Sequence, residues 1–277
     1  MQRSYLSPLV HDYRVSELHI VHGATLKVLV VNDDGPESLA LAPLVEALRD
    51  LHEVFVSVPS LQRSGTGHGF SFLQPLEVRS TTVAGVPGLL VAGLPADAVK
   101  FAICGGAPWV PDVVLAGINP GENAGVCAPY SGTVACAREA ALFGIPAVAL
   151  SSMGMDMAHY RAIADWACRL LESGLPPHRR GVFWNVNFPL AHPDCWGEVK
   201  ICHGSTSMFR DVYRPVGTGA WQLEGSKDPT AIEAGSDDEW LSKGHPSMVA
   251  HRADPTDHEF LRGLDWIPPR SIRTGET

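Results

Sequence analysis

The sequence contains no block of lysine or arginine residues. Of its 277 residues, 21 are Lys or Arg and 30 are Asp or Glu, which gives a formal net charge of -9. A protein that grips a nucleic-acid backbone usually presents a basic stripe to it. The composition therefore argues against a nucleic-acid polymer as partner. A small anionic substrate stays compatible with it if a metal ion or a helix N-terminus neutralises the substrate's charge.

Long apolar runs are also missing, since none approaches the roughly 18 residues of a membrane span. Residues 1–25 intersperse charges and histidines among short apolar groups, unlike a secretory signal peptide. The six cysteines form no C-x-x-C pair, the spacing that zinc sites commonly show. We expect a cytoplasmic protein with free thiols and no membrane partner, preceded by an N-terminal extension over 1–25.

Short apolar runs alternate with amphipathic stretches from Leu26 onward. Strands are predicted at 26–31, 53–58, 89–93, 112–119, 147–152 and 182–189, and helices from near Pro36 and at 96–104, 131–143 and 157–172. Apolar strands that alternate with helices indicate a mainly parallel sheet covered on both faces. The predicted fold class is therefore α/β. Between about 205 and 230 glycines, aromatic residues and charges accumulate, which predicts a hairpin or arm, and 246–254 is a possible last strand.

Polar side chains follow several of the predicted strands. Asp33 and Asp34 come after the first strand, Ser64 lies in a glycine-rich segment after the second, and Asn119 ends the run 112–119. Taken alone, Asn-Asp-Asp-Gly is ordinary turn chemistry. Ligands of parallel sheets, however, bind beyond the carboxyl ends of the strands. Two carboxylates, a hydroxyl and an amide oxygen there are hard oxygen ligands, which predicts one divalent metal ion, Mg²⁺ or Mn²⁺.

A fourth segment, YSGTV, begins the helix predicted at 131–143. Ser131, Gly132 and Thr133 would place backbone N–H groups and two hydroxyls at the positive end of that helix. Taken by itself, the segment is better explained as a plain serine cap. A neighbouring metal site with oxygen ligands strengthens the interpretation of this helix start as a phosphate site.

Six motifs occur in an order that resembles the SurE family of metal-dependent survival-protein nucleotidases: VLVVNDDG, QRSGTGH, GLPADAVKFA, PDVVLAGINPGENAG, YSGTVACAREAALFGIPAVALS and NVNFP. The resemblance covers about residues 26–190. It implies a Rossmann-like α/β catalytic domain at 26–204, a protruding oligomerisation arm at 205–235 and a C-terminal return segment at 236–277 that packs on the domain. It also implies a homodimer or homotetramer, and hydrolysis of nucleoside 5′- or 3′-monophosphates.

The resemblance assigns the metal to Asp33, Asp34, Ser64 and Asn119. With Asn119, the residues 131–133 would orient and neutralise the phosphate while a water attacks phosphorus. Asp34 is the first choice for the general base, and direct attack by Asp33 to give an aspartyl phosphate is the alternative.

Some positions have a weaker assignment or depart from the family. His68 and Asn123 fit polar family positions near the phosphate, although both also suit ordinary loop structure. The departures are PES at 36–38, Leu94 in place of a frequent threonine, and Asp237 as the nearest match to an aspartate before the last strand. They favour a specialised substrate, such as a phosphorylated nucleoside or a secondary-metabolite intermediate. Four aromatic residues could stack on a base: Trp109, Tyr130, Phe209 and Tyr213.

Three other classes of protein fit the sequence to different degrees. A non-catalytic Rossmann-like nucleotide-binding protein would not need two neighbouring carboxylates aimed at a phosphate. An interaction protein built around the arm is compatible with an enzyme. A dinucleotide oxidoreductase fits poorly because NDDGPES replaces G-x-G-x-x-G and two acids would repel a pyrophosphate.

Overall fold

The computed structural model describes residues 23–174 and 177–262. Most of the predicted N-terminal extension, residues 1–22, lies outside the described residues, as do residues 263–277 of the predicted return segment. Within the described part, no helix is long and apolar enough to cross a membrane.

A nine-stranded sheet forms the centre of the molecule, and a two-stranded hairpin extends from it. The strands are β1 (Lys27–Val31), β2 (Glu53–Pro59), β3 (Val78–Val83), β4 (Val86–Val91), β5 (Val113–Pro120), β6 (Ala147–Ser152), β7 (Val182–Phe188), β8 (Lys200–Ile201), β9 (Val212–Gly217), β10 (Ala220–Glu224) and β11 (Ser247–Arg252). The sheet order is β3-β4-β2-β1-β5-β6-β7-β11-β8, and β10 pairs with β9. Only β3 against β4 and β11 against β7 run antiparallel in the large sheet, which confirms the predicted α/β fold.

Helices cover both faces of the sheet. They are α1 (Leu41–Leu48), α2 (Pro95–Phe101), α3 (Gly132–Leu142), α4 (Met157–Ser173), α5 (Asp237–Ser242) and α6 (His258–Arg262). Strand β1 sends Val28 and Val30 into the apolar cluster under α1 and α4, and Leu29 and Val31 into the cluster under α2 and α3. Each such fully buried side chain contributes about 1.5–3 kcal/mol to folding. β1 is thereby fixed from both faces, and with it the segment that follows it.

Two helix boundaries differ from the sequence prediction. The first helix begins at Leu41 rather than near Pro36, because the chain first makes turns in which the Ser38 N–H bonds the Gly35 carbonyl and the Leu41 N–H bonds the Ser38 carbonyl. The second ends at Phe101 and continues as a wider π-helical turn over Ala102–Gly106. α3 begins where predicted, and the Ser131 hydroxyl caps it by accepting the Val134 N–H at 3.1 Å.

Candidate active site

The site lies where β1 and β5 run side by side, in parallel register from Val28 opposite Val113 to Val31 opposite Ala116. Asp33 follows β1 and Asn119 lies at the end of β5. Both side chains are buried and line a cavity of about 740 Å³. The Asn119 amide nitrogen donates to the Gly121 carbonyl at 2.9 Å, so the amide oxygen is the end available to a ligand.

Asp33 is held at the start of α3. Its carboxylate accepts hydrogen bonds from the Thr133 hydroxyl and from the backbone N–H groups of Gly132 and Thr133. Burial raises the pKa of Asp33, and these hydrogen bonds oppose the rise. The positive end of α3 is therefore occupied by a carboxylate of the chain itself.

Asp34 has a different environment. Burial, followed by the charge of Asp33, raises its pKa to about 6, against a hydrogen bond from Gln62. The Gln62 side-chain amide donates to Asp34 Oδ1 at 3.5 Å and to Ser64 Oγ at 3.3 Å. Among the described residues, Asp34 Oδ2 has no hydrogen-bond partner although it is buried. A buried carboxylate oxygen without a partner is costly, and a cation would remove that cost.

The residues present fit a hard divalent cation. In the described part of the chain, no three histidine, cysteine or acidic side chains form a metal-binding group. A metal at this site would rely on the acid pair together with the Ser64 hydroxyl and the Asn119 amide oxygen, a set that suits Mg²⁺ or Mn²⁺ rather than zinc. Asp33, Ser64 and Asn119 line the 740 Å³ cavity, whereas Asp34 lines an adjoining cavity of about 430 Å³. Pro120 lines both, so the four predicted ligands lie around the wall between two cavities.

The predicted phosphate-binding residues divide into two groups. Ser131 lines the 740 Å³ cavity and keeps its hydroxyl proton free while it caps α3. Thr133 is fully buried, and its hydroxyl bonds Asp33 instead of facing the cavity. Gly132 permits this close approach, because a Cβ there would lie 2.6 Å from the Cβ of Asp33.

His68 and Asn123 are held by protein partners. His68 Nε2 lies 2.8 Å from Glu139 Oε2, in a separate pocket of about 300 Å³, so the structure does not bring it to the cavity. Asn123 lines the cavity, but its side-chain amide donates to Ser151 Oγ at 2.8 Å and its backbone N–H to Asn187 Oδ1 at 2.7 Å. Asn123 is thus an anchor of its loop.

Comparison with known proteins places this geometry in a family. Residues 28–211 match the family model described as "Survival protein SurE". The chain belongs to the SurE family. A protein of Desulfovibrio desulfuricans named "5'-nucleotidase SurE" is 36% identical over 253 residues, which cover 86% of this chain and 97% of that one. "5'-nucleotidase SurE 1" of Thermus thermophilus is 36% identical over 255 residues, covering 87% and 98%.

A solved SurE structure has the same architecture. The SurE protein from Aquifex aeolicus superposes with a TM-score of 0.72 at 29% sequence identity, covering 86% of this chain and 98% of that one. The resemblance noted in the sequence and the Rossmann-like α/β fold that it implied are both confirmed.

Several residues of this SurE site were not found from the sequence. Gln62 links Asp34 to Ser64, and its only signal was its place in the QRSG segment. Asn185 and Asn187 are fully buried on β7 and bond the loop that follows β5. The alternating asparagines of NVNFP, inside an otherwise apolar strand, were the signal for them.

Two of the positions that the sequence predicted to depart from the family, 36–38 and Leu94, lie near the site or its glycine-rich loop. Pro36, Glu37 and Ser38 line the 430 Å³ cavity beside Asp34. Leu94 packs on the glycine-rich loop, where a Cβ on Gly69 would lie 2.9 Å from Leu94 Cδ1.

Two of the four aromatic candidates reach the site. Tyr130 and Phe209 line the 740 Å³ cavity. Trp109 instead packs edge-on against Phe55, with ring centroids 6.2 Å apart, and Tyr213 is exposed on the arm.

Proposed function

We propose that the protein is a metal-dependent phosphatase that hydrolyses a phosphomonoester, with a nucleoside 5′- or 3′-monophosphate as the substrate class. The observation that carries the proposal is the neighbouring pair of the buried Asp33 and the half-buried Asp34 beside a large cavity, in which the buried Asp34 Oδ2 has no hydrogen-bond partner in the described chain. Membership of the SurE family supports the same activity, since the two relatives described above are named 5'-nucleotidases. A protein that only bound nucleotides would have no use for this acid pair.

One divalent metal ion, Mg²⁺ or Mn²⁺, would be held by Asp33, Asp34, Ser64 and Asn119. When bound, it supplies Lewis-acid stabilisation of the charge that develops on the phosphoryl oxygens. Gln62 holds Asp34 and Ser64 in mutual register, and α3 holds Asp33. These hydrogen bonds come from different elements, so the metal-binding side chains are held in place before a metal ion binds.

The chain's own groups orient the phosphate and accept a proton. The Ser131 hydroxyl donates a hydrogen bond to a phosphate oxygen, since its lone pair already caps α3. Asp34 is the candidate general base because it would lie near both the metal and the attacking water. Asp33 is the weaker candidate for a nucleophile, because its carboxylate is buried and accepts three hydrogen bonds. The stereochemical course at phosphorus in a chiral, isotopically labelled phosphomonoester tests this: inversion supports direct attack by water, and retention supports two displacements through an aspartyl phosphate.

The outer part of the cavity suits a planar, apolar group. Met208, Phe209 and Leu223 from the arm line it, together with Tyr130. A nucleobase would pack against these side chains at one end while the phosphate lies near Ser131 at the other. Glu122 and Asp211 also line the cavity, and their charges would disfavour additional phosphate groups, as in a nucleoside triphosphate.

The exposed arm supports assembly into a homodimer or homotetramer. All residues of β9 and β10 are exposed, including Tyr213, Val216 and Trp221, each more than half exposed. Large apolar side chains grouped on a protruding hairpin are typical of an interface between chains.

A panel of nucleoside monophosphates and small alcohol phosphates, assayed with Mg²⁺ and with Mn²⁺, tests the proposal. We expect phosphate release that EDTA abolishes, and a loss of about 100-fold or more in Asp33→Asn. Asp50→Asn is the control, because Asp50 is a surface acid with 85% of its side chain exposed. If no phosphomonoester is hydrolysed with either metal, the non-catalytic nucleotide-binding alternative is favoured instead.

A further inference from the structure

The segment 121–127, here called the cavity loop, forms one wall of the substrate cavity through Gly121, Glu122, Asn123, Val126 and Cys127. Its inner side is fixed to the sheet. Asn123 bonds Ser151 and Asn187, and the Asn185 side-chain amide donates to the Asn123 carbonyl at 2.9 Å. The contacts of the outer side then determine the rest of the position of the cavity loop.

Asp237 holds the outer side. Its Oδ2 accepts the Gly125 N–H at 2.7 Å, and its Oδ1 accepts the Ser205 N–H at 2.8 Å. The carboxylate is fully buried, and it joins the cavity loop to the point where the arm leaves the body. The fit is close: a Cβ on Gly125 would lie 2.6 Å from the Ser205 carbonyl oxygen.

Lys227, near the end of the arm, makes a second set of contacts with the cavity loop. Its Nζ lies 2.6 Å from Asp238 Oδ1 and 3.3 Å from Glu122 Oε1, and it donates to the Ala124 carbonyl at 3.4 Å. Only 14% of the Lys227 side chain is exposed. The ammonium also lies 5.6 Å from the ring centroid of Phe209, which lines the cavity and pairs with Lys227 through a backbone bridge.

We propose that Asp237 and Lys227 are positioning residues for the phosphatase reaction, which hold the cavity loop and the base of the arm together and so fix the width of the substrate cavity. The proposal rests on the function proposed above. Neither side chain is among the residues that line the cavity, so both act through the loop and through Phe209. A shift of the arm would accordingly be transmitted to the substrate wall.

Three substitutions separate this role from a general contribution to stability. Lys227→Met leaves Glu122 and Asp238 without their cation, and Asp237→Asn replaces one of the two accepting oxygens by a donor. Lys227→Arg keeps the positive charge in a larger head group and should retain part of the wild-type behaviour. Arg79→Met is the matched control, because Arg79 pairs with the exposed Glu77 at the edge strand β3, outside the arm.

Steady-state kinetics and hydrogen exchange test the proposal together, with thermal melting to verify that each variant folds. In Lys227→Met and Asp237→Asn we expect the KM for adenosine 5′-monophosphate to rise about tenfold and kcat to fall less than about threefold, since β1 and α3 are untouched. Amide exchange over 121–127 should accelerate while exchange in β1 and α3 stays at the wild-type rate. Arg79→Met should match the wild type in both measurements, and Lys227→Arg should lie closer to the wild type than Lys227→Met does.

Unchanged exchange in the cavity loop would overturn the proposal, and so would faster exchange with an unchanged KM. If the wild-type protein releases no phosphate, the proposed function fails by itself. The positioning role is then judged by loop exchange and by the dissociation constant for adenosine 5′-monophosphate, which should rise about tenfold in Lys227→Met and Asp237→Asn.

Discussion

Gly132 shows how closely the start of α3 approaches the acid pair. A Cβ at this position would lie 2.6 Å from the Asp33 Cβ, 2.7 Å from Asp33 Oδ2 and 2.9 Å from Pro95 Cγ. The carboxylate and the proline ring are both buried, so neither can move aside without disturbing the core.

Gly132→Ala should therefore displace Asp33 from the helix N-terminus. We expect phosphatase activity to fall by about 100-fold and the free energy of unfolding to fall by about 1–3 kcal/mol. Phosphate release and urea denaturation measure the two effects. Gly217→Ala is the control, since a Cβ there meets nothing within 4 Å; a Gly132→Ala protein with wild-type activity would refute the close-contact argument.

His251 predicts a pH dependence of stability. Its ring stacks on Phe183, with centroids 5.4 Å apart, and burial followed by the positive charge of Arg138 lowers its pKa from 6.5 to about 4. Between pH 6.5 and pH 4 the unfolded chain binds a proton that the folded chain does not. Stability is therefore lost as the pH falls through this range, by about 3 kcal/mol.

The variant His251→Phe should remove this part of the acid-induced destabilisation while it retains the ring stacking. Urea denaturation at pH 7, 5.5 and 4.5 measures it. His192→Gln, which replaces a histidine with 60% of its side chain exposed, should keep the wild-type pH profile. Parallel profiles for wild type and His251→Phe would show that His251 is not the responsible group.

At the scale of elements, Glu139 joins three segments around the site. It lies on α3 and contacts His68 of the glycine-rich loop at 2.8 Å and Lys100 of α2 at 2.6 Å. Burial acts to raise the pKa of Glu139, but the hydrogen bonds from His68 and Lys100 outweigh it and lower the pKa. The loop that contains Ser64 is thereby tied to the helix that holds Asp33.

Glu139→Ala should release the glycine-rich loop from α3. We expect a loss of about 1–3 kcal/mol in the free energy of unfolding, because His68 and Lys100 both lose the buried carboxylate to which they bond. Activity should also decrease, since Ser64 loses its fixed position. Glu46→Ala on α1 is the matched control, because Glu46 is exposed. Its free energy of unfolding should stay within about 0.5 kcal/mol of wild type. Equal effects of the two substitutions would show that Glu139 does not hold the glycine-rich loop to α3.

The elements that could be predicted from sequence are those whose burial leaves a clear pattern. β1, β5 and β6 are buried almost throughout and are apolar in sequence. β3 was missed because it is an edge strand whose residues VRSTTV are all at least partly exposed. The turns at 36–40 and the π-helical turn after α2 depend on local hydrogen bonding that apolar periodicity does not record.

At the scale of the whole molecule, long-range contacts set the limit of prediction. The residue types of the proposed metal site could be picked out because each lies at or after the end of a strand, and strand ends of a parallel sheet meet. The bonds of Thr133 to Asp33 and of Gly125 to Asp237 join residues 100 and 112 positions apart. Nothing in the local sequence specifies such partners. The sequence therefore could not show that the Thr133 hydroxyl bonds Asp33, or that Asp237 bonds the loop after β5.

The arm gives a prediction about assembly. If β9 and β10 join protein chains, the double variant Tyr213→Ser, Trp221→Ser should shift the mass in solution from a dimer or tetramer toward the monomer, because it removes two of the exposed aromatic side chains. Analytical ultracentrifugation at several concentrations measures this. The double variant Glu77→Ser, Arg79→Ser on the opposite edge of the sheet is the control. An unchanged mass in the arm variant would remove the arm from the interface.

The place of β11 in the sheet has a consequence for biosynthesis. β11 lies between β7 and β8 and supplies the pairing partner of both. During translation, the strands and helices around the acid pair, up to β7, are synthesised before β11. β7 therefore stays an open edge of the sheet until residues 247–252 emerge from the ribosome. Open edges pair readily with foreign strands. The growing chain is thus exposed to aggregation over the interval in which the arm is translated, and premature termination within the arm would leave the acid pair without its full cavity and the sheet with an unprotected edge.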